Sequence, residues 1–178
     1  VKNGLGPDAR KAAREFARAK FAGVVDKGGN DYIFHCDKVA EKVEHLGDDY
    51  YVVGMLHDVF EDCYEDEAGK CAWAEFERDL KEAGVVTNVY NVDVLHAIRA
   101  LSKRKGEDYF DYLNRLACYP MAIDVKLADL YDNMDIERIP EKERGPADYE
   151  RLGKYKMATK YLRALRSLTV TLNEGDWA

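Results

Sequence analysis

Nowhere in its 178 residues does the chain have an apolar run approaching the roughly 20 residues that cross a bilayer. The first residues also lack the basic, apolar, small-residue order of a signal peptide, so the expectation is a cytoplasmic protein with no membrane partner. Prolines are few, four in all, and no stretch alternates polar and apolar residues as a half-buried strand does. What remains is apolar spacing of three and four. The expected class is therefore all-α, a compact helical bundle forming one domain over 1–178. The cysteines, Cys36, Cys63, Cys71 and Cys118, show no CxxC pair, which excludes the usual structural zinc and dithiol motifs and leaves free thiols. A basic surplus is missing too. With 27 Lys and Arg against 34 Asp and Glu the net charge is −7. Nonspecific binding of long nucleic acid needs the opposite sign. A small anionic ligand needs only a local basic pocket.

Helices are expected from near Asp8 to the Gly28-Gly29 turn, from His35 to Leu46 ahead of Gly47, and from Tyr50 to Phe60. Others follow around 67–83, 92–102, 108–118, 120–133 and 148–172. The third, YYVVGMLHDVF, is apolar almost all round, as a buried central helix is. It ends in His57-Asp58-Val59-Phe60-Glu61-Asp62, which sets four ionisable side chains on a buried element where unpaired charge is costly. Spacing of four puts His57 beside Glu61 and Asp58 beside Asp62. A divalent cation would offset the carboxylate repulsion. The plainer reading is a hydrogen-bonded core histidine followed by a solvated acidic helix end.

Two further elements favour the cation. His35 opens the preceding helix, and Asp129 ends an apolar run in Asp124-Val-Lys-Leu-Ala-Asp129-Leu-Tyr-Asp-Asn133, with Asn133 one turn on. Two neutral imidazoles and two carboxylates suit Mn²⁺, Fe²⁺, Co²⁺, Ni²⁺ or Zn²⁺ better than Ca²⁺. Positions would remain for water and a phosphate oxygen. His45 and His96 stand alone and are assigned to structure or surface.

The order H…HD…D, with the words Asp31-Tyr-Ile-Phe-His35, Leu56-His-Asp-Val-Phe-Glu-Asp62 and Val125-Lys-Leu-Ala-Asp129-Leu-Tyr-Asp-Asn-Met134, resembles the HD superfamily. Within it the resemblance is to the hydrolase domain of RelA/SpoT-type alarmone enzymes and their small stand-alone relatives, over residues 9 to 135. It implies an HD-domain bundle that removes the 3′-pyrophosphate from guanosine tetra- or pentaphosphate, with Mn²⁺ as the usual metal. It implies further that His35, His57, Asp58 and Asp129 bind one metal ion, that Glu61 and Asp62 activate water, and that Asn133 touches substrate. The first turn departs from the family outline: Phe21 stands for His, Val24 for Gln and Asp26 for Arg, and Cys36 replaces a proline. Lys27 and both glycines are kept.

For the phosphates, Lys27 and the run Lys103-Arg104-Lys105 are the candidate cations, since loop side chains reach over a metal site. Tyr32 is expected beneath the site or against a base; Tyr109, Tyr112, Arg151, Lys154 and Tyr155 are weaker candidates. Three functions compete. The first is an alarmone-type pyrophosphohydrolase. The second is an HD phosphohydrolase of a (deoxy)nucleoside mono- or triphosphate, favoured by the altered turn. The third is an inactive nucleotide-sensing module, against which the intact Glu61 and Asp62 speak. No heptad seam fixes an oligomeric state, and a homo-oligomer stays open.

Overall fold

The computed structural model describes residues 5–64, 72–86 and 91–175. Through them run α1 (Pro7–Lys20), α2 (Ile33–Val43), α3 (Asp48–Leu56), α4 (Val59–Tyr64), α5 (Trp73–Glu82), α6 (Val92–Leu101), α7 (Tyr109–Leu116), α8 (Pro120–Asn133) and α9 (Pro146–Gly175). The sole strand-like pairing among the described residues is an isolated bridge between Val25 and Asp31. The protein is all-α, as its apolar spacing requires. No helix among the described residues is long and apolar enough to cross a membrane.

Helix α3 lies at the centre because its sequence leaves it no solvent face: Val52, Val53, Gly54, Met55 and Leu56 are all buried. Helices α1, α2, α6 and α8 pack against it. α1 opens on Pro7, whose missing N–H has no helical partner to lose in the first turn, and buries the small stripe Ala9, Ala13 and Ala17. α2 and α8 turn Val39, Ala40 and Val43, and Ala122, Ile123 and Val125, into the same core. Asp108 caps α7 by accepting from the amides of Phe110 and Asp111. An aromatic cluster of Phe16, Phe60, Tyr64, Trp73 and Phe76 ties α4 and α5 to α1.

Three expected boundaries differ. The third helix was expected to run unbroken from Tyr50 to Phe60; it stops at Leu56 and restarts at Val59. The carbonyl of Gly54, which the amide of residue 58 would take in a continuous helix, is bonded instead by the His57 ring, with Nδ1 at 2.7 Å. The first helix ends at Lys20 rather than near Gly28. Beyond it Asp26 closes a loop by accepting from the amides of Gly28 and Asn30, at 2.8 and 2.9 Å. A Cβ at Gly28 would meet the Arg138 carbonyl at 2.7 Å, so the loop lies hard against residues 136–138. The helix expected over 67–83 is seen from Trp73 to Glu82. Its first residues, and Cys71, lie outside the described residues. Cys36 is a buried free thiol; Cys63 and Cys118 are exposed ones.

The α2–α3 crossing is tight at Gly54, where a Cβ would stand 2.8 Å from the Cα of Ala40. In an open helix, Gly→Ala stabilises by about 1 kcal/mol. Here the clash is with backbone, and Gly54→Ala should instead destabilise by about 1–3 kcal/mol. A urea midpoint that rises in this variant would show that the two helices are not in contact there.

Candidate metal centre

The break after α3 turns His57 and Asp58 toward α2 and α8, where they meet His35 and Asp129. His35 comes from the first turns of α2 and Asp129 from the last turn of α8. His35, His57 and Asp129 are buried, and Asp58 is a quarter exposed. One ligand atom from each of the four lies within 4.8 Å of the others. His35 Nε2 is 3.2 Å from His57 Nε2. Asp58 Oδ2 stands 2.9 Å from His57 Nε2 and 3.7 Å from His35 Nε2. Asp129 Oδ1 stands 3.2 Å from His35 Nε2 and 3.7 Å from His57 Nε2. A cation with bonds of about 2.0–2.2 Å sets neighbouring ligand atoms about 3.0–3.5 Å apart. The four side chains are spaced as such a shell is.

The protons say the same. The other nitrogen of each ring has a partner that can only accept: His57 Nδ1 meets the Gly54 carbonyl, and His35 Nδ1 lies 2.7 Å from Asp132 Oδ2. Burial disfavours the charge on Asp132, but the bond from His35 together with the positive charges of Lys42 and Lys38 outweighs it and holds the carboxyl at about 2. Both Nδ1 atoms therefore carry hydrogen, and in the neutral rings the two Nε2 lone pairs face each other at 3.2 Å. Opposed lone pairs in a buried site call for a positive charge between them. Burial alone would strip a proton from His57, yet the Asp58 and Asp129 carboxylates push it up to about 10. Burial likewise opposes ionised Asp129, and Lys126 with the two imidazoles keeps it well below the usual carboxylate range. The donor set fits a divalent cation, which would take the place of that proton.

Around the four lies a supporting ring. Tyr32 donates to Asp58 Oδ2 at 2.6 Å and packs on Phe21 and His35; its hydroxyl serves a ligand carboxylate, where a contact with substrate was one expectation. Asn133 donates to Asp129 Oδ1 and accepts from Arg138. Lys126 Nζ lies 2.7 Å from Asp129 Oδ2. At the back, Lys42, Lys38 and Arg138 stand 3.4, 3.7 and 3.7 Å from the buried Asp132.

Glu61 and Asp62 follow on α4. Glu61 Oε2 accepts from the Lys103 amide at 2.7 Å. Asp62 is pushed up to about 6, first by burial and then by the negative charges of Asp58 and Glu61. Lys103 thus reaches the site through its backbone, while Arg104 is exposed and its amide bonds Glu107. Lys27 is exposed and points to Asp148 at 3.8 Å. Tyr112 is a core residue bonded to the Leu101 carbonyl, and Arg151 pairs with Asp148. His45 and His96 are exposed.

Sequence reasoning missed Asp132 and Lys126. Both lie one turn from Asp129 on α8, a spacing that sets Lys126 beside Asp129 but does not announce that Asp132 reaches His35 on α2.

Two outcomes test the centre. Asp132→Asn, which removes the carboxylate orienting His35, should weaken divalent-cation affinity about 10–100-fold in chelator competition. Because His57 holds a proton up to about 10, cation binding at neutral pH must displace it. Affinity should then rise with pH, by about tenfold per unit for each proton released, and calorimetry in buffers of different ionisation enthalpy should detect that release. An affinity flat between about pH 6 and 9 would contradict this proton competition. No family model matches the chain and no curated protein matches it.

Proposed function

We propose that this chain is a metal-dependent phosphohydrolase of the HD type acting on a small phosphorylated nucleotide, with the 3′-pyrophosphate of guanosine tetra- or pentaphosphate as its first candidate bond. The observation that carries the reading is the pair of opposed imidazole nitrogens, 3.2 Å apart, with a carboxylate oxygen on either side. Such a cluster is built to hold a cation, and His35, His57, Asp58 and Asp129 would hold it. The ion favoured by the resemblance is Mn²⁺; the same donors accept Fe²⁺, Co²⁺, Ni²⁺ or Zn²⁺. When bound, a divalent cation supplies Lewis acidity toward water and phosphate oxygen.

The protein's own groups do the rest. Glu61 is anchored by the Lys103 amide, which holds its carboxylate in one position. It takes the proton of the attacking water as general base. Asp62, titrating near 6, shares that proton load on the solvent side. Tyr32 keeps Asp58 aimed by donating to it, and Lys126 does the same for Asp129 from the opposite side.

Asp26 favours a second reading, hydrolysis of a different nucleoside mono- or triphosphate. Where the resembling family carries Arg, this carboxylate caps its own loop and faces Arg138 at 3.7 Å. Arg138 is committed to Asp26, Asn133 and Asp132. A loop neutralised from within offers a guanosine nucleotide fewer donors.

The test is release of pyrophosphate, orthophosphate or triphosphate from guanosine tetraphosphate and a nucleotide panel by Mn²⁺-loaded protein, with Asp58→Ala as control. Glu61→Gln keeps an oxygen for the Lys103 amide and loses the base, so kcat should fall about 10²-fold or more while bound metal is unchanged. Turnover confined to another nucleotide selects the second reading. Nucleotide binding without turnover selects the sensor and sinks the hydrolase.

A further inference from the structure

One polar side-chain atom among the described residues is buried with no hydrogen-bond partner: the hydroxyl of Tyr109. Buried hydroxyls are nearly always satisfied, and an exception calls for a cause. Its neighbour Tyr112 shows the ordinary solution, donating to the Leu101 carbonyl at 2.6 Å. Tyr109 does not do this. Its ring stands 5.9 Å from that of Tyr112, and Lys154 Nζ covers it at 4.0 Å. Its hydroxyl is close enough to feel the charges of Lys126 and Asp129.

Lys126 is the second unfinished donor. Its ammonium lies mostly buried, 2.7 Å from Asp129 Oδ2. That oxygen is the one turned away from His35, whose Nε2 faces Oδ1. A lysine has three N–H donors, and this contact uses one. Its remaining approach is to the face of Tyr112, at 5.7 Å from the ring centre. A hydroxyl with no acceptor and an ammonium with N–H donors to spare thus both neighbour the Tyr112 ring, next to Asp129.

We propose that the Tyr109 hydroxyl and the Lys126 ammonium form a seat for one phosphate oxygen next to the metal centre. The ligand class rests on the phosphohydrolase reading above. The seat itself rests on one hydroxyl without an acceptor and on an ammonium whose three N–H groups have a single carboxylate oxygen between them. A phosphate oxygen meets both requirements: it accepts from each, and its charge offsets the ammonium in a site screened from water. Neither the lysine run at 103–105 nor Lys27 is part of the seat.

The experiment titrates inorganic phosphate into Mn²⁺-loaded wild type, Tyr109→Phe and Tyr112→Phe, followed by calorimetry, with thermal unfolding of each protein measured alone. Tyr109→Phe should weaken phosphate binding roughly tenfold and leave the melting temperature equal or higher, because it removes a hydroxyl that has no internal partner. Tyr112→Phe should do the reverse, lowering the melting temperature and sparing phosphate. Unchanged phosphate affinity in Tyr109→Phe overturns the proposal, whatever the enzyme hydrolyses. So does a melting temperature lowered as in Tyr112→Phe, since the hydroxyl would then have a structural partner. If wild type turns over no nucleotide yet binds phosphate in a Tyr109-dependent way, the hydrolase reading fails and the seat stands.

Discussion

Two imidazole nitrogens facing each other across 3.2 Å set the terms for the rest of this molecule. In water such a pair would swing apart or pick up protons from solvent. Here His35 is pinned by Asp132 and His57 by the Gly54 carbonyl, each through the far nitrogen, so neither ring can turn away. Positive charge has to be supplied between them, and the carboxylates of Asp58 and Asp129 make that charge welcome. The interruption of the central helix, the burial of Asp132 and the placing of Lys126 all follow as conditions for keeping the rings opposed.

The charge pattern shows why composition is a poor guide to such a site. The chain is acidic as a whole, yet its buried acids Asp129 and Asp132 are answered locally, the one by Lys126 and the other by Lys38, Lys42 and Arg138. The net charge measured at long range is that of the solvated surface. What a ligand meets at close range is set by a handful of pairs with little water between them.

The helical class was legible because it rests on spacing along the chain, and spacing is what a sequence displays. The four convergent side chains that could hold a cation were legible for a related reason: each stands at the end of an apolar run, where an ionisable residue is out of place. Asp132 was not, since its part depends on α2 and α8 lying side by side, and nothing local says that an aspartate three residues past Asp129 will reach His35. The break at His57 escaped for the opposite reason. The pattern there is uninterrupted, and only the competition of a side chain for a backbone carbonyl ends the helix. Lys27 stands on a loop, and position along a loop does not say that its long side chain turns to Asp148.

Gly54 holds two offices at once. Its missing side chain lets α2 and α3 close up at Ala40, and its carbonyl receives the hydrogen of His57. The first fixes how near α2, which carries His35, comes to α3, which leads into His57; the second fixes which nitrogen of His57 is offered to the centre. Any residue has a carbonyl, but only glycine brings it to this depth. Rigidity and ligand chemistry are thereby written into a single position, and a substitution that loosens one cannot leave the other untouched.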